Sequence, residues 1–510
     1  MSQLVNRIRK DPNNLEIMKK HKNPFESKAP VHITRITGLL LTTLASLCAA
    51  DLKLAALFSD HMVLQRDKPV PVWGRADAGE SVTVEFAGQK KSAIADATGK
   101  WQVKLDPMTA SAESRALIVQ SGNPDRKLQI ADVLVGEVWL GSGQSNMAMR
   151  ISGAQNYKNE QATANLPLIR TFNEGSNASA KAQTDASGKW TVCSPETVGT
   201  FSATLFFFGR ELQRELKVPV GLINSSVGGT PIESWIAAEV QQPKRKGAAT
   251  SRPKAPKPRP AGNRTAAPER KNDAGGLFNG KIAPLIPYAL RGVLWYQGEA
   301  NTHPGKGLSY QHQLPLLVTD WRKRWNEELP FAWVQLPNFN RPGEGWSLVR
   351  EAMLKTLSLP KTGMAITVDV GEADNIHPKN KQEVGRRLSL WALGAVYGVK
   401  VPAISGPLPT GHAIKGNTIS IPFKHTEGGL VAKDGVLTGF LIAGADKQWK
   451  PAQAAIDGDK VLVSSAEVAK PVAVRYAWAS VAVCNLFNGA GLPASPFRTD
   501  SWPVDDAEKN

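Results

Sequence analysis

Val133-Leu-Val-Gly-Glu-Val-Trp-Leu-Gly-Ser-Gly-Gln-Ser-Asn-Met147 decides how the rest of the chain is read. Val133, Val135, Val138 and Leu140 belong to an apolar run of the kind that forms a buried strand. The run breaks on Gly141 and Gly143, which reach backbone conformations closed to other residues. Ser145 follows where a helix is expected to begin, so its hydroxyl is presented at a strand end. Free backbone N–H groups and the positive end of a helix dipole lie beside such a residue. These groups suit an oxyanion formed when a hydroxyl attacks an ester carbonyl. The residue two after Ser145 is Met147, so the Gly-x-Ser-x-Gly elbow is not the match. An ordinary Ser-Asn helix cap after a strand is the alternative.

Outward from this stretch, two kinds of periodicity divide the chain. Short β-type runs separated by Gly, Asp and Pro turns fill residues 52–130, among them Val70–Trp73, Val82–Phe86 and Trp101–Leu105. They predict an N-terminal β-sandwich over 51–131. From residue 132 to 400 strands alternate with helices. Leu205, Phe208, Leu212 and Leu216 mark one helix face, and Tyr310, Leu314, Leu317, Trp321 and Trp325 another. Val218–Ile223, Gly292–Tyr296, Phe331–Leu336 and Met364–Val370 read as strands, and a last helix is expected over about 379–397. Repeated β-α-β implies a mostly parallel, doubly wound sheet with its site at the strands' C-terminal ends. β-type runs return over 401–510, which predicts a smaller C-terminal β-domain.

Charge narrows the function. The net charge of +17 invites a nucleic-acid reading, but its distribution opposes one. Residues 1–35 carry +5 and residues 244–271 carry +9, so about +3 remains on the body. No nucleic acid is expected as a partner. The segment 241–276, rich in Pro, Lys and Arg without apolar period, reads as a disordered surface insert. A polyanion-binding element is the rival reading for it.

Residues 1–50 read as a signal region. The apolar stretch 36–50 follows a basic segment, ends in small residues and predicts cleavage before Asp51. Export to the periplasm or outside the cell is the expectation, with no membrane span in the mature chain. The basic region is long enough for Met18 to be the true start, and lipid anchoring at Cys48 is an alternative. Cleavage leaves only Cys193 and Cys484, which make no disulfide framework, and no Cys/His cluster has zinc-ligand spacing. Neither a cofactor nor a metal is expected.

A serine nucleophile needs a base and a group that orients the base. His377, in Asp374-Asn-Ile-His-Pro-Lys-Asn-Lys381, lies in a loop between a strand and a helix at the sheet edge expected for Ser145. Asp374 can fold back onto the imidazole, with Asp369 and Glu372 as rivals for that role.

Gly-Gln-Ser-Asn-Met after Gly-Glu-Val-Trp-Leu resembles the nucleophile block of the sialate O-acetylesterase family, within the SGNH hydrolases. Leu57–Gln65 is similar to the family's N-terminal region, and Asp-x-x-His matches its last block. Relatives often place the acid two before the histidine, where this chain has Asn375. Asn224-Ser-Ser-Val-Gly-Gly-Thr-Pro231 resembles the glycine block, which implies Gly228 or Gly229 as an oxyanion donor beside Ser145. Trp295-Tyr-Gln-Gly-Glu-Ala-Asn301 resembles the block that carries Asn in simpler SGNH enzymes. The resemblance implies that Gln297 gives its side-chain N–H to the oxyanion, and Glu299 is a candidate to hold that loop by ion pairing. It covers roughly 52–505 apart from the insert. The activity implied is removal of O-acetyl groups from a sugar, sialic acid being the family's named substrate. Acetylxylan or another plant glycan is the alternative substrate, and a non-catalytic carbohydrate-binding protein the rival of another class.

Overall fold

The computed structural model describes residues 51–122, 125–241 and 271–504. The expected signal region, Cys48 included, and insert residues 242–270 lie outside the described residues.

The fold is α/β, organised by one long strand. Eight strands open it: β1 (Lys53–Leu54), β2 (Val63–Gln65), β3 (Val70–Arg75), β4 (Ser81–Phe86), β5 (Gln89–Ile94), β6 (Lys100–Leu105), β7 (Ser111–Ser121) and β8 (Lys127–Gly143). Strands β1, β3 and β6 form a three-stranded sheet, while β4, β5 and β7 extend the sheet that contains β8. Both sets contribute to one core, through Val72 and Val103 on one side and Val84 and Val119 on the other. Because β8 is 17 residues long, its first half pairs with β7 and its second half enters the parallel sheet beyond. The N-terminal strands are thus continuous with the sheet that carries the site.

That sheet runs in the order β10 (Trp190–Cys193), β9 (Leu166–Asn173), β11 (Val220–Ser226), β8, β12 (Gly292–Tyr296), β13 (Phe331–Val334), β14 (Thr362–Ala365). All neighbours from β9 to β14 are parallel, and β10 alone is antiparallel. Among the described residues seven α-helices accompany these strands: α1 (Ser145–Ala148), α2 (Tyr157–Ala162), α3 (Ala203–Leu216), α4 (Ala238–Gln241), α5 (Gly307–Trp325), α6 (Gly345–Thr356) and α7 (Lys381–Trp391). Successive strand residues point to opposite faces, so a strand covered on both faces must be apolar throughout. Val293 and Trp295 of β12 enter one core with Leu317, Trp321 and Trp346 of α5 and α6. Leu294 and Tyr296 enter a second core with Phe207, Phe208 and Leu388 of α3 and α7. Each buried Leu or Phe in these layers stabilises the fold by about 1.5–3 kcal/mol.

Several details differ from the sequence reading. Strand β14 ends at Ala365, short of Val370, and residues 366–370 leave the sheet as a turn. Gly141 and Gly143 do not break β8; the strand continues through them because only glycine fits. A Cβ at Gly141 would stand 2.5 Å from the Leu205 side chain, and one at Gly143 (φ +130°) 2.1 Å from the Tyr296 carbonyl oxygen. Strand β5 was not foreseen, since Gln-Lys-Lys-Ser-Ala-Ile buries no side chain. The hairpin turn before it, Ala87-Gly88, has positive φ at both residues but lacks the usual Asn-Gly signal. Beyond residue 400 the expected strands are present within short β-sheets around a separate core of Ile421, Ile442, Val463 and Tyr476.

Candidate active site

Parallel register brings the motifs together. Gly143 on β8 is level with Ser226 on β11 and Tyr296 on β12. Ser145, Gly228 and Gln297 each follow one of these aligned ends. Ser145 opens α1, a single turn of four residues whose Met147 and Ala148 N–H groups donate to the Gln144 carbonyl. The turn is too short for the helix dipole expected from the sequence. It is anchored from α3, where Ser202 caps the helix, accepting from Leu205 N at 3.3 Å and donating to Met147 O at 2.6 Å.

His377 Nε2 lies 2.8 Å from Ser145 Oγ, and both residues are partly buried. Burial, and then the charge of Lys381, hold the ring's pKa below the ordinary histidine value. A neutral imidazole in contact with a hydroxyl is the protonation state that can accept its proton. The loop around His377 is fixed by its own polar groups. Asn375 Oδ1 accepts from His377 N at 3.0 Å, while its Nδ2 donates to Glu372 and to the His377 carbonyl. Glu372 also accepts from Lys379 N, the bond that most lowers its pKa.

The acid of the expected triad is not brought to the ring. Asp374 is exposed and makes no hydrogen bond among the described residues. Asp369 turns both oxygens onto Arg387, at 2.6 and 2.7 Å, and Glu372 is engaged in its own loop. The cause is the early end of β14: the turn that follows sends Asp369 toward α7 and leaves Asp374 at the surface.

Gly228 packs against the nucleophile, since a Cβ there would meet Ser145 Cβ at 3.4 Å. The backbone N–H groups of Ser145 and Gly228 donate to no backbone acceptor among the described residues. Gly229 has φ +69°, and Lys271 Nζ bonds the Gly228 carbonyl at 2.7 Å. Gln297 departs from expectation. It is fully buried, and its Nε2 donates to Thr230 O at 3.1 Å and Asn301 Oδ1 at 2.7 Å. Its Oε1 accepts from Tyr310 at 2.9 Å. Both amide hydrogens are therefore occupied in tying the glycine loop to the Asn301 turn, and none is left for an oxyanion.

Sequence reasoning missed a buried polar chain behind Ser145. Lys381 Nζ donates to Asn146 Oδ1 at 2.8 Å and Pro378 O at 2.6 Å. Asn146 Nδ2 donates to Glu299 Oε1 at 2.6 Å and Ile376 O at 2.9 Å. Glu299 thus meets an amide and makes no ion pair among the described residues, contrary to the expected role. A signal existed: Lys381 shares helical spacing with Val384 and Leu388, which puts a cation on the buried face of α7. Among the described residues no group of three or more His, Cys, Asp or Glu gathers to hold a metal ion.

Comparison with known proteins identifies relatives of the chain as a whole. The family model described as carbohydrate esterase, sialic acid-specific acetylesterase, matches residues 135–249 and 279–392. Sialate O-acetylesterase of Mus musculus is 28% identical, over 92% of this chain and 98% of the mouse protein. That of Homo sapiens is 28% identical, over 88% and 94% respectively. The crystal structure of a carbohydrate acetylesterase from Xanthomonas citri matches with a TM-score of 0.80 and 37% identity, covering 88% of this chain and all of that one. The class is thereby defined: this is a carboxylic ester hydrolase. Within that class, the chain belongs to the sialic acid-specific carbohydrate acetylesterase family.

Proposed function

We propose that the protein removes O-acetyl groups from sugars, with O-acetylated sialic acid the substrate class, through a Ser145–His377 pair. The 2.8 Å contact between Ser145 Oγ and His377 Nε2 carries this reading. His377 takes the hydroxyl proton as Oγ attacks the acetyl carbonyl. The backbone N–H groups of Ser145 and Gly228, with Gly229 shaping the loop, receive the oxyanion. Collapse of the tetrahedral intermediate passes the proton from His377 to the departing sugar oxygen, which leaves as a hydroxyl, and an acetyl-enzyme remains. Water, deprotonated by the same ring, then releases acetate and restores Ser145.

The names of the mouse and human relatives support sialic acid as the sugar. Export through residues 36–50 belongs to the same proposal and agrees with an extracellular glycan substrate. Among the described residues no helix is long and apolar enough to cross a membrane.

Acetate release from O-acetylated sialosides and from acetylated xylan, each with wild-type protein and Ser145→Ala, tests the reading. Turnover of the sialosides that vanishes in the variant is expected. Turnover of xylan alone would reassign the sugar. Glycan binding without acetate release from any ester would make the protein a carbohydrate-binding one.

A further inference from the structure

The two reacting residues come from opposite ends of the sheet's sequence, yet their immediate neighbours converge on one buried cation. Lys381 is fully buried at the first position of α7, a site set by Asn380, which caps that helix by accepting from Glu383 N. Its ammonium bonds the side chain of Asn146, which follows Ser145, and the carbonyl of Pro378, which follows His377. Asn146 in turn bonds the carbonyl of Ile376, which precedes His377. A buried ammonium is costly to desolvate, and an apolar side chain of similar volume would fill the space without that cost. A cation here thus calls for a reason beyond packing.

We infer that Lys381 is a positioning residue for ester hydrolysis: through Asn146 and Pro378 it holds the Ser145 turn in register with the His377 loop and keeps a buried ammonium within that loop. The inference rests on the proposed Ser145–His377 pair.

The charged and polarisable groups around Lys381 fit this role. Glu299 lies across Asn146, and the amide is oriented with its oxygen toward the ammonium and its nitrogen toward the carboxylate, as opposite charges demand. Glu372 acts on Lys381 from the loop before His377, and the Tyr296 ring lies 5.5 Å from Nζ. Burial lowers the Lys381 pKa to about 7 against the attraction of Glu299 and Glu372. Burial raises that of Glu299, against the bond from Asn146 and the charge of Lys381. The cation is therefore fullest on the acid side of neutrality, where His377 most needs protection from protonation. No carboxylate among the described residues bonds the ring, and after burial the charge of Lys381 is the next influence that disfavours its protonation.

The test is the pH profile of kcat and KM for a model acetate ester with Lys381→Met, alongside wild type and Ser145→Ala. Lys381→Met is expected to lower kcat with little change in KM. Its acid limb should move to higher pH, so that the loss at pH 6 exceeds the loss at pH 8 by a few-fold, a one-unit displacement reaching about tenfold only well below both pKa values. Circular dichroism and the thermal midpoint establish that the variant is folded. Lys381→Met/Glu299→Gln, which removes both buried charges together, gives the same readout should the single variant not fold. An acid limb that stays in place, with Ser145→Ala inactive, overturns the inference and leaves the Ser145–His377 pair standing. Full activity in Ser145→Ala would instead remove the pair on which the inference depends.

Discussion

Asp369 holds Arg387 with both carboxylate oxygens, at 2.6 and 2.7 Å, and so is spent on fastening the end of β14 to α7. Arg387 also bonds Glu383 and the carbonyl of Ile366, which makes it the knot of this corner. Asp369→Asn should therefore lower the thermal midpoint. Asp374→Asn, at an exposed side chain, should leave kcat within a few-fold of wild type, where a carboxylate that fixed the His377 tautomer would cost roughly 10⁴-fold. Steady-state kinetics and thermal melts on the two variants decide the point. A collapse of kcat in folded Asp374→Asn would restore it as the acid of a triad.

Ser145→Ala and His377→Ala should each reduce kcat by several orders of magnitude, roughly 10⁴ or more. Because the two act as one unit, the double variant should be little worse than either single one. Independent, multiplying effects in the double-variant cycle would show that the two do not share one proton transfer.

The His377 ring sits below the ordinary histidine range because burial, and then Lys381, disfavour its charged form. Catalysis needs the neutral ring. kcat/KM should thus hold steady as pH falls to about 6.5, the unperturbed histidine value, and decline only below it. A rate profile on a substrate that does not itself titrate reads this limb, and a decline beginning above neutrality would contradict the assignment.

Gln297 ties three segments together, so its loss should register first in stability. Gln297→Ala leaves the Thr230 carbonyl without its Gln297 partner, at about 1–3 kcal/mol for a buried group left unsatisfied, while the Tyr310 hydroxyl keeps the Gln297 carbonyl and Asn301 Oδ1 keeps Ile232 N. A denaturation midpoint and kcat that fall together are the expected result. A fall in kcat of about 10²- to 10³-fold at unchanged stability would mark Gln297 as an oxyanion donor after all.

Glu137 is fully buried within β8, where Arg291, Arg66 and Gln65 bond it. Burial pushes its pKa up, but the bonds and charges of Arg291 and then Arg66 prevail and leave it below the carboxylate norm. Such a depressed acid stabilises the fold above its unfolded pKa, and that contribution is lost as pH falls through the folded one. Glu137→Gln should cost about 1–3 kcal/mol at neutral pH, because Arg66 and Arg291, both partly exposed, lose their nearest carboxylate. The deficit should shrink in acid, which denaturant titrations at pH 7 and pH 4 would detect.

What the sequence by itself determined was whatever repeats with a local period or sits in a local motif. Val82, Val84 and Phe86 alternate, Leu205, Phe208 and Leu212 follow helical spacing, and both reappear as β4 and α3 on the core sides expected. Ser145 and His377 were legible because each lies in a motif that follows a predicted strand. What only the tertiary structure decided was which polar groups pair once the chain is closed. The side chains of Asp369, Asp374 and Glu372 are chemically interchangeable in sequence, and the turn after Ala365 alone gives the first to Arg387 and the second to solvent. Gln297 reads as a free donor until Thr230 and Asn301 are brought against it from positions 67 residues before and 4 after. The spacing of Lys381 with Val384 and Leu388 puts it on the buried face of α7, but only the closed chain brings it onto Asn146, 235 residues away. Apolar burial is written in periodicity, because any apolar neighbour serves. A buried hydrogen bond needs one partner at one distance, and that partner is fixed only when the whole chain has folded.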